Sequence, residues 1–321
     1  MRHPWRIWRR FTSAGQGWPS VLVAKDGEKG PCESQIYVLK NPPTLVAWSV
    51  RKNSKRKGEG VAVYHADALV IRSREFGESD RVLTLFSREM GKLQAVAKGV
   101  RKPKSRQRAG AQLFTYADFL IHRGKTMDTV SQCSPRESFP HLWYDLDRSF
   151  AAMGIAELLD ISTIPAQPNQ ELFGLTLTCL FLIEQFDPAL VLSAYALRLM
   201  TLLGYRPRLG ECAECGVSIS GERLFFSSEA GGTLCGHCRE TYSGRWIRAG
   251  SVAFMRQLIR ADITKIDRLR WKAWMQQEIL ETLRLFVEHR FERPLKSWRM
   301  GSLSTDDVGR HNSGKEGKEN D

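Results

Sequence analysis

Cys212-Ala-Glu-Cys215 and Cys235-Gly-His-Cys238 are two CxxC pairs separated by nineteen residues. Each pair presents two thiolates from one tight knuckle, and the spacing is that of a zinc ribbon. Four thiolates complete a tetrahedral shell, with Zn–S near ~2.3 Å, and leave no open position for a substrate water. One structural Zn2+ is therefore expected. An iron–sulfur cluster, a redox dithiol and a degenerate finger are the alternatives for the same residues. His237 lies inside the second pair, and a solvent-facing knuckle position is the simpler reading of it. Cys32, Cys133 and Cys179 stand alone, and Cys179, in an apolar stretch, reads as a small core residue. An odd cysteine count with CxxC pairs argues for a reducing compartment rather than a secreted disulfide scaffold.

The second feature with chemical content is cationic. Lys98, Arg101, Lys102, Lys104, Arg106 and Arg108 fall within KGVRKPKSRQR with no acid among them. Gly99 and Pro103 keep that segment out of a regular helix, so it is expected to project as a flexible loop able to grip a phosphate backbone. Arg72, Arg74, Arg81 and Arg123 extend the patch, although Arg81 has Glu78 and Asp80 as nearby alternatives. The plain alternative for the loop is a solvated basic surface. Charge distribution favours the functional reading. Residues 61–124 hold 12 Lys and Arg against 6 Asp and Glu, whereas residues 125–300 are near balance at 21 against 20. Residues 1–60 carry +8 of the net +13, and beyond them nearly all the excess sits in this strand-rich region, which marks a localised polyanion site.

Short apolar runs surround the loop. Ala66–Ser73, Asp80–Arg88, Gly91–Lys98, Leu113–Arg123 and Met127–Cys133 read as five strands, with no long helix between them. That pattern fits a small closed barrel of the OB type, which binds single strands along one face and its loops. Phe76, Phe86, Phe114, Tyr116 and Phe119 are candidates to stack on bases, but most should fill the barrel core. Past Pro140 the period lengthens to about 3.6. Helices are expected from Leu146 to near Thr163, over Glu171–Phe186 and over Pro188–Leu203, then over Ser251–Arg260 and Trp271–Phe291. Asp187, Pro188 and Gly204 supply the N-cap, first-turn and C-terminal signals of the third.

The chain thus reads as α+β: an N-terminal five-stranded OB-type β-barrel, then an all-helical domain with an inserted four-cysteine zinc finger. The expected boundaries are 61–140 for the barrel, 141–208 and 246–300 for the two parts of the helical domain, and 209–245 for the insertion. Residues 301–321 are expected to be a disordered tail. Residues 1–60 hold Trp5, Trp8, Phe11 and Trp18 among Arg, Gly and Pro, lack periodicity, and read as a disordered basic extension. No methionine lies between Met1 and Met90, so a start at Val61 or Val63 from a valine-type codon is the further expectation. Peptide mapping of the native protein should then find nothing before Val61.

The longest uncharged apolar run, Leu172–Ile183, is twelve residues and too short to span a bilayer. No GxxxxGK[ST], GxSxG or HExxH is present, and His65, His122, His141 and His289 have no motif around them. A zinc-dependent nucleic-acid-modifying enzyme such as a deaminase needs an HxE pattern, which this sequence lacks. An adaptor whose barrel binds protein is the other alternative. A non-enzymatic nucleic-acid-binding factor fits best.

Four segments together resemble the RecO family of bacterial DNA repair proteins. They are SREFGESDRVLTLFSREMGKLQAVAKGVRKPKSR at 73–106, LLGYRPRLGECAECG at 202–216, FSSEAGGTLCGHC at 226–238 and VEHRFERPLKS at 287–297. The resemblance covers roughly residues 63–300, and residues 1–60 lie outside its pattern. It implies the same three-part architecture, with Cys212, Cys215, Cys235 and Cys238 as metal ligands. It also implies binding to single- and double-stranded DNA, annealing of complementary strands, and a cytoplasmic, nucleoid-associated protein. The implied partners are RecR, the single-stranded DNA-binding protein and, indirectly, RecA, which is loaded onto DNA in RecF-pathway repair. DNA contacts carry over as a basic surface rather than as fixed residues.

Overall fold

The computed structural model describes residues 63–298, together with Val21–Leu22 and Tyr37–Val38, which form a two-residue antiparallel pair. The chain divides into two compact units, 1–57 and 58–321. Apart from that short pair, the expectations for 1–60 and for 301–321 lie outside the described residues.

Five strands close a barrel: β1 (Val63–Phe76), β2 (Asp80–Ser87), β3 (Gly91–Ala97), β4 (Tyr116–His122) and β5 (Asp128–Glu137). Their order is β1-β2-β3-β5-β4, antiparallel except for the β3–β5 pair. The fourteen residues of β1 serve two neighbours, β4 through Val63–Leu69 and β2 through Ala68–Phe76. A bulge between Val70 and Arg72 lets the strand bend round the barrel. The inward row is made of small residues, Ala66, Ala68, Ala95, Ala97 and Ala117, beside Val70, Leu83, Leu85, Phe119, Ile121 and Val130. Alanine suits a barrel this narrow, and the larger side chains fill what remains. The outward faces of β2 and β4 are covered as well where Phe86 and Tyr116 each lie 6.0 Å from the Phe173 ring of the helical region.

Three strands, β1, β4 and β5, differ from the sequence expectation by more than one residue. β1 is longer at both ends. β4 begins at Tyr116 rather than Leu113, because Phe114 takes φ +65° and is buried, its N–H donating to Val70 O at 2.8 Å. β5 continues past Cys133 through Pro135, where the register with β4 is already interrupted and no N–H is required of the proline.

The helical region comprises α1 (Leu146–Ser162), α2 (Gln170–Ile183), α3 (Pro188–Leu202), α4 (Ala249–Arg260) and α5 (Ala273–Phe291). Side-chain caps start the first three: Asp145 accepts from Arg148 N, Asn169 from Leu172 N, and Asp187 from Ala189 N and Leu190 N. α2 ends at Ile183, three residues short of expectation, where the chain tightens into a turn toward Asp187. Every residue of α3 from Leu190 to Leu197 is buried, and α1, α2, α4 and α5 all pack on it. Cys179 and Tyr195 are enclosed here, the latter's hydroxyl 3.1 Å from Thr176 Oγ1. Between α3 and α4 lies a small sheet of β6 (Arg223–Ser227), β7 (Gly232–Leu234) and β8 (Arg245–Arg248), ordered β8-β6-β7.

Beside those ring contacts, a polar junction joins barrel and helices. Lys92 Nζ, on β3, donates to Asp160 O at 2.6 Å and to Asp160 Oδ1 at 3.1 Å, while Arg72 Nη1 lies 3.4 Å from Asp160 Oδ2. Ala166 N donates to Lys92 O at 2.9 Å, so the segment after α1 runs as a short bridge beside β3. Among the described residues, no helix is long and apolar enough to cross a membrane.

Candidate metal centre and nucleic-acid interface

The four CxxC sulfurs converge. The Sγ atoms of Cys212, Cys215, Cys235 and Cys238 lie within 4.8 Å of one another, and those of Cys215 and Cys235 are 3.8 Å apart. A tetrahedron with Zn–S near ~2.3 Å has edges of about 3.8 Å, so the cluster fits one ion with all four positions filled. Local turns produce it. Gly216 takes φ +76° and donates to Cys212 O at 3.0 Å, and Cys212 N donates back to Val217 O at 2.8 Å. Ala213 N donates to Thr233 O at 2.7 Å, which ties the first knuckle to β7 and brings it under the second.

Backbone donors prepare thiolates. Burial works against ionisation of Cys212, but N–H groups of Cys215, Cys235 and Glu214 outweigh it and bring the thiol down to about 6. Cys235 is lowered mainly by the N–H of Cys238, which lies 3.5 Å from its sulfur. Cys238 is in turn pushed up to about 12, chiefly by its hydrogen bond to Cys235. The set is thus uneven, with Cys212 and Cys235 shifted toward the thiolate and Cys215 and Cys238 toward the thiol. His237 is exposed and stands outside the cluster.

The cationic loop joins β3 to β4 and is folded as consecutive turns rather than projecting freely. Arg101 N donates to Ser79 O at 2.9 Å, Lys102 N to Gly99 O, and Ser105 N to Lys102 O. Asp80 Oδ1 accepts from Gly99 N at 2.7 Å and from Ser79 Oγ at 3.0 Å. The Gly99 bond holds the Asp80 carboxyl below the ordinary range, with Lys98 and Lys102 adding to it. Val100 and Ala111 insert into the barrel core, so the segment closes one mouth of the barrel.

Lys98, Arg101, Lys102, Lys104, Arg106 and Arg108 are all exposed. Arg101 is engaged, its Nη2 lying 3.2 Å from Glu75 Oε2 and its Nη1 3.4 Å from Gly77 O. Arg81 pairs with neither Glu78 nor Asp80; it stands opposite Glu75 in the β1–β2 register. Arg81, Arg101 and Arg108 line one cleft of about 310 Å³ together with Glu75, Val100 and Gln112. The other three candidates are dispersed. Arg72 belongs to the Asp160 junction, and Arg74 lies on the opposite face of the hairpin from Glu75 by strand alternation. Arg123 lies over the Tyr64 ring at 5.5 Å, and the register places it two strands round the barrel from the loop. Of the five aromatics considered for stacking, only Phe76 is exposed, at 53 %, while Phe86, Phe114, Tyr116 and Phe119 are buried. Sequence reading missed Glu75 and Gln112; only the alternation beyond the bulge would have pointed to Glu75.

A closed five-stranded OB-type barrel, a helical region and a four-thiol unit define a modular OB-fold protein. The descriptions "Recombination protein O N terminal" and "Recombination protein O C terminal" match residues 61–139 and 144–299. A protein named DNA repair protein RecO from Desulfitobacterium hafniense (strain DSM 10664 / DCB-2) is 61% identical over 260 residues, covering 80% of this chain and 95% of that relative. Its namesake from Heliobacterium modesticaldum is 40% identical over 241 residues, covering 74% and 88% respectively. That from Pelotomaculum thermopropionicum is 39% identical over 237 residues, covering 74% and 92%. The chain belongs to the RecO family of DNA repair proteins.

Proposed function

We propose that this chain is a non-catalytic DNA-binding recombination mediator. It anneals complementary single strands and, with RecR, assists the loading of RecA onto DNA covered by single-stranded DNA-binding protein. Its place is the cytoplasm, at the nucleoid. The observation that carries this reading is the set of exposed cations on the β3–β4 loop of an OB-type barrel, in a member of a DNA repair family. The four cysteines hold one structural Zn2+ and take no part in chemistry on DNA, because four thiolates leave a bound ion no open position.

Binding of this kind runs mainly through phosphates and is nearly blind to base sequence. If about four phosphates of a single strand are neutralised, log K falls against log salt with a slope near −3. Changing Arg101, Lys102 and Lys104 together to Glu should weaken binding, flatten that slope and impair annealing, with folding and zinc content unchanged. A triple variant that binds and anneals like the parent across the salt series would place the site elsewhere. Weak binding with little salt dependence in the parent itself would favour a protein-binding adaptor.

A further inference from the structure

The inward row of β2 runs Leu85, Leu83, Arg81, and that of β1 runs Ala68, Val70 and, past the bulge, Ser73 and Glu75. Both rows begin in the apolar core. They leave it where Val100 and Ala111 seal the barrel, so the next inward-facing side chains are charged and converge instead of splaying into solvent. Arg101 and Arg108 reach the same space from the loop that forms the seal, and Gln112 completes the lining. Three guanidinium groups and one carboxylate therefore share a cleft of about 310 Å³.

We propose that this cleft is a seat for a single phosphodiester of a nucleic-acid strand, and that Glu75 occupies it as an internal competitor until DNA arrives. The proposal rests on the DNA-binding reading given above. Guanidinium forks match phosphate oxygens in pairs, and three of them around one cleft provide more donors than one carboxylate can use. The Glu75 side chain is 63% exposed, and its single contact to Arg101 at 3.2 Å is of the weak, solvent-exchanged kind that an incoming anion displaces. The Gln112 amide is a neutral donor suited to a non-bridging oxygen. Glu75 stays at the rim after displacement, where it repels a second charge. An internal phosphodiester is also held in the seat by the rest of the strand, an advantage that a free phosphate lacks.

The test uses the full chain and a 3′-labelled oligothymidylate, with and without a 5′-phosphate, in anisotropy titrations across a salt series. Glu75→Gln should bind about two- to fivefold tighter than the parent at low salt. Glu78→Gln, at the exposed hairpin tip outside the cleft, should give a smaller gain. Arg108→Gln should bind more weakly, with a salt slope smaller by about 0.7, the value of one phosphate contact on a single strand. Equal affinity with and without the 5′-phosphate, and no competition by millimolar inorganic phosphate, support an internal phosphodiester. Preferential binding of the 5′-phosphate form, or ready competition by inorganic phosphate, overturns that assignment. The seat also falls if Glu75→Gln gains no more than Glu78→Gln, or if Arg108→Gln keeps the parental slope. A Lys98, Lys102 and Lys104 to Glu variant separates the two levels. If it alone weakens binding, the DNA-binding reading stands without the seat; if no variant changes binding, that reading fails as well.

Discussion

At the scale of single residues the cysteines are the clearest case. Their spacing alone predicts a four-sulfur shell, since two CxxC knuckles can meet in few other ways, and the sulfurs do meet within 4.8 Å. What the spacing does not contain is the pattern of N–H donors that brings Cys212 down to about 6. We expect metal analysis of the reduced protein to find about one zinc per chain. Cys235→Ser should lower that content and leave the protein unstable or insoluble, because thiolate coordination contributes on the order of 10 kcal/mol to folding a small metal domain. A well-folded, reduced preparation without zinc would refute the assignment. The Glu75–Arg101 pair was not legible in the sequence. Its partners come from two segments brought together only by closure of the barrel mouth, and Glu75 reads there as an ordinary surface acid.

At the scale of elements, local signals succeeded where they are strong. Asp187, Pro188 and Gly204 bracket α3, and the observed helix starts at Pro188 and ends at Leu202. They failed where a distant contact overrides propensity, as when burial of Phe114 delays the start of β4. The cationic loop belongs to the second kind: its Gly and Pro predict irregularity, but its order comes from Asp80 and from Val100 in the core. Asp80→Ala should therefore raise the exchange rate of the Gly99 amide at neutral pH, read by hydrogen exchange. The acid dependence has a definite sign. The folded carboxyl lies below its unfolded value of about 3.9, so its contribution is fully present above that value. It is lost as pH falls through the lower, folded value, and protection of Gly99 should fall with it. Unchanged Gly99 exchange in Asp80→Ala would show that the loop is held by Val100 and its turns alone.

At the scale of the whole molecule, barrel and helices are fastened through Lys92, Asp160 and the backbone beside Gly91. Gly91 takes φ +68°, and an added Cβ would sit 2.1 Å from Gln167 O, so the bridge after α1 passes too close for any side chain. Gly91→Ala should cost about 1–3 kcal/mol through left-handed strain and displacement of that bridge. A thermal melt should show it as a lower Tm with zinc content retained; a Tm equal to the parent's would mean that the bridge moves freely.

The insertion of the four-cysteine unit between α3 and α4 also has a consequence in time. Chains emerge from the ribosome N-terminus first, at about 5–20 residues per second. Glu157 on α1 accepts from the backbone N–H groups of Lys296 and Ser297 at 2.9 Å each, across separations of 139 and 140 residues. Roughly seven to twenty-eight seconds of synthesis therefore pass between the two sides of that contact. From the completion of α3 at Leu202 until α4 is complete at Arg260, α3 has neither α4 nor α5 to cover it. When α5 does appear, part of its landing surface is the β6–β7 hairpin, where Phe286 meets Phe226 with ring centroids 5.8 Å apart. If the four cysteines take up a metal ion, uptake ahead of the final helix presents that surface already folded. Metal depletion during synthesis is therefore expected to leave α5 docked on α3 and α4 but without its contact to Phe226.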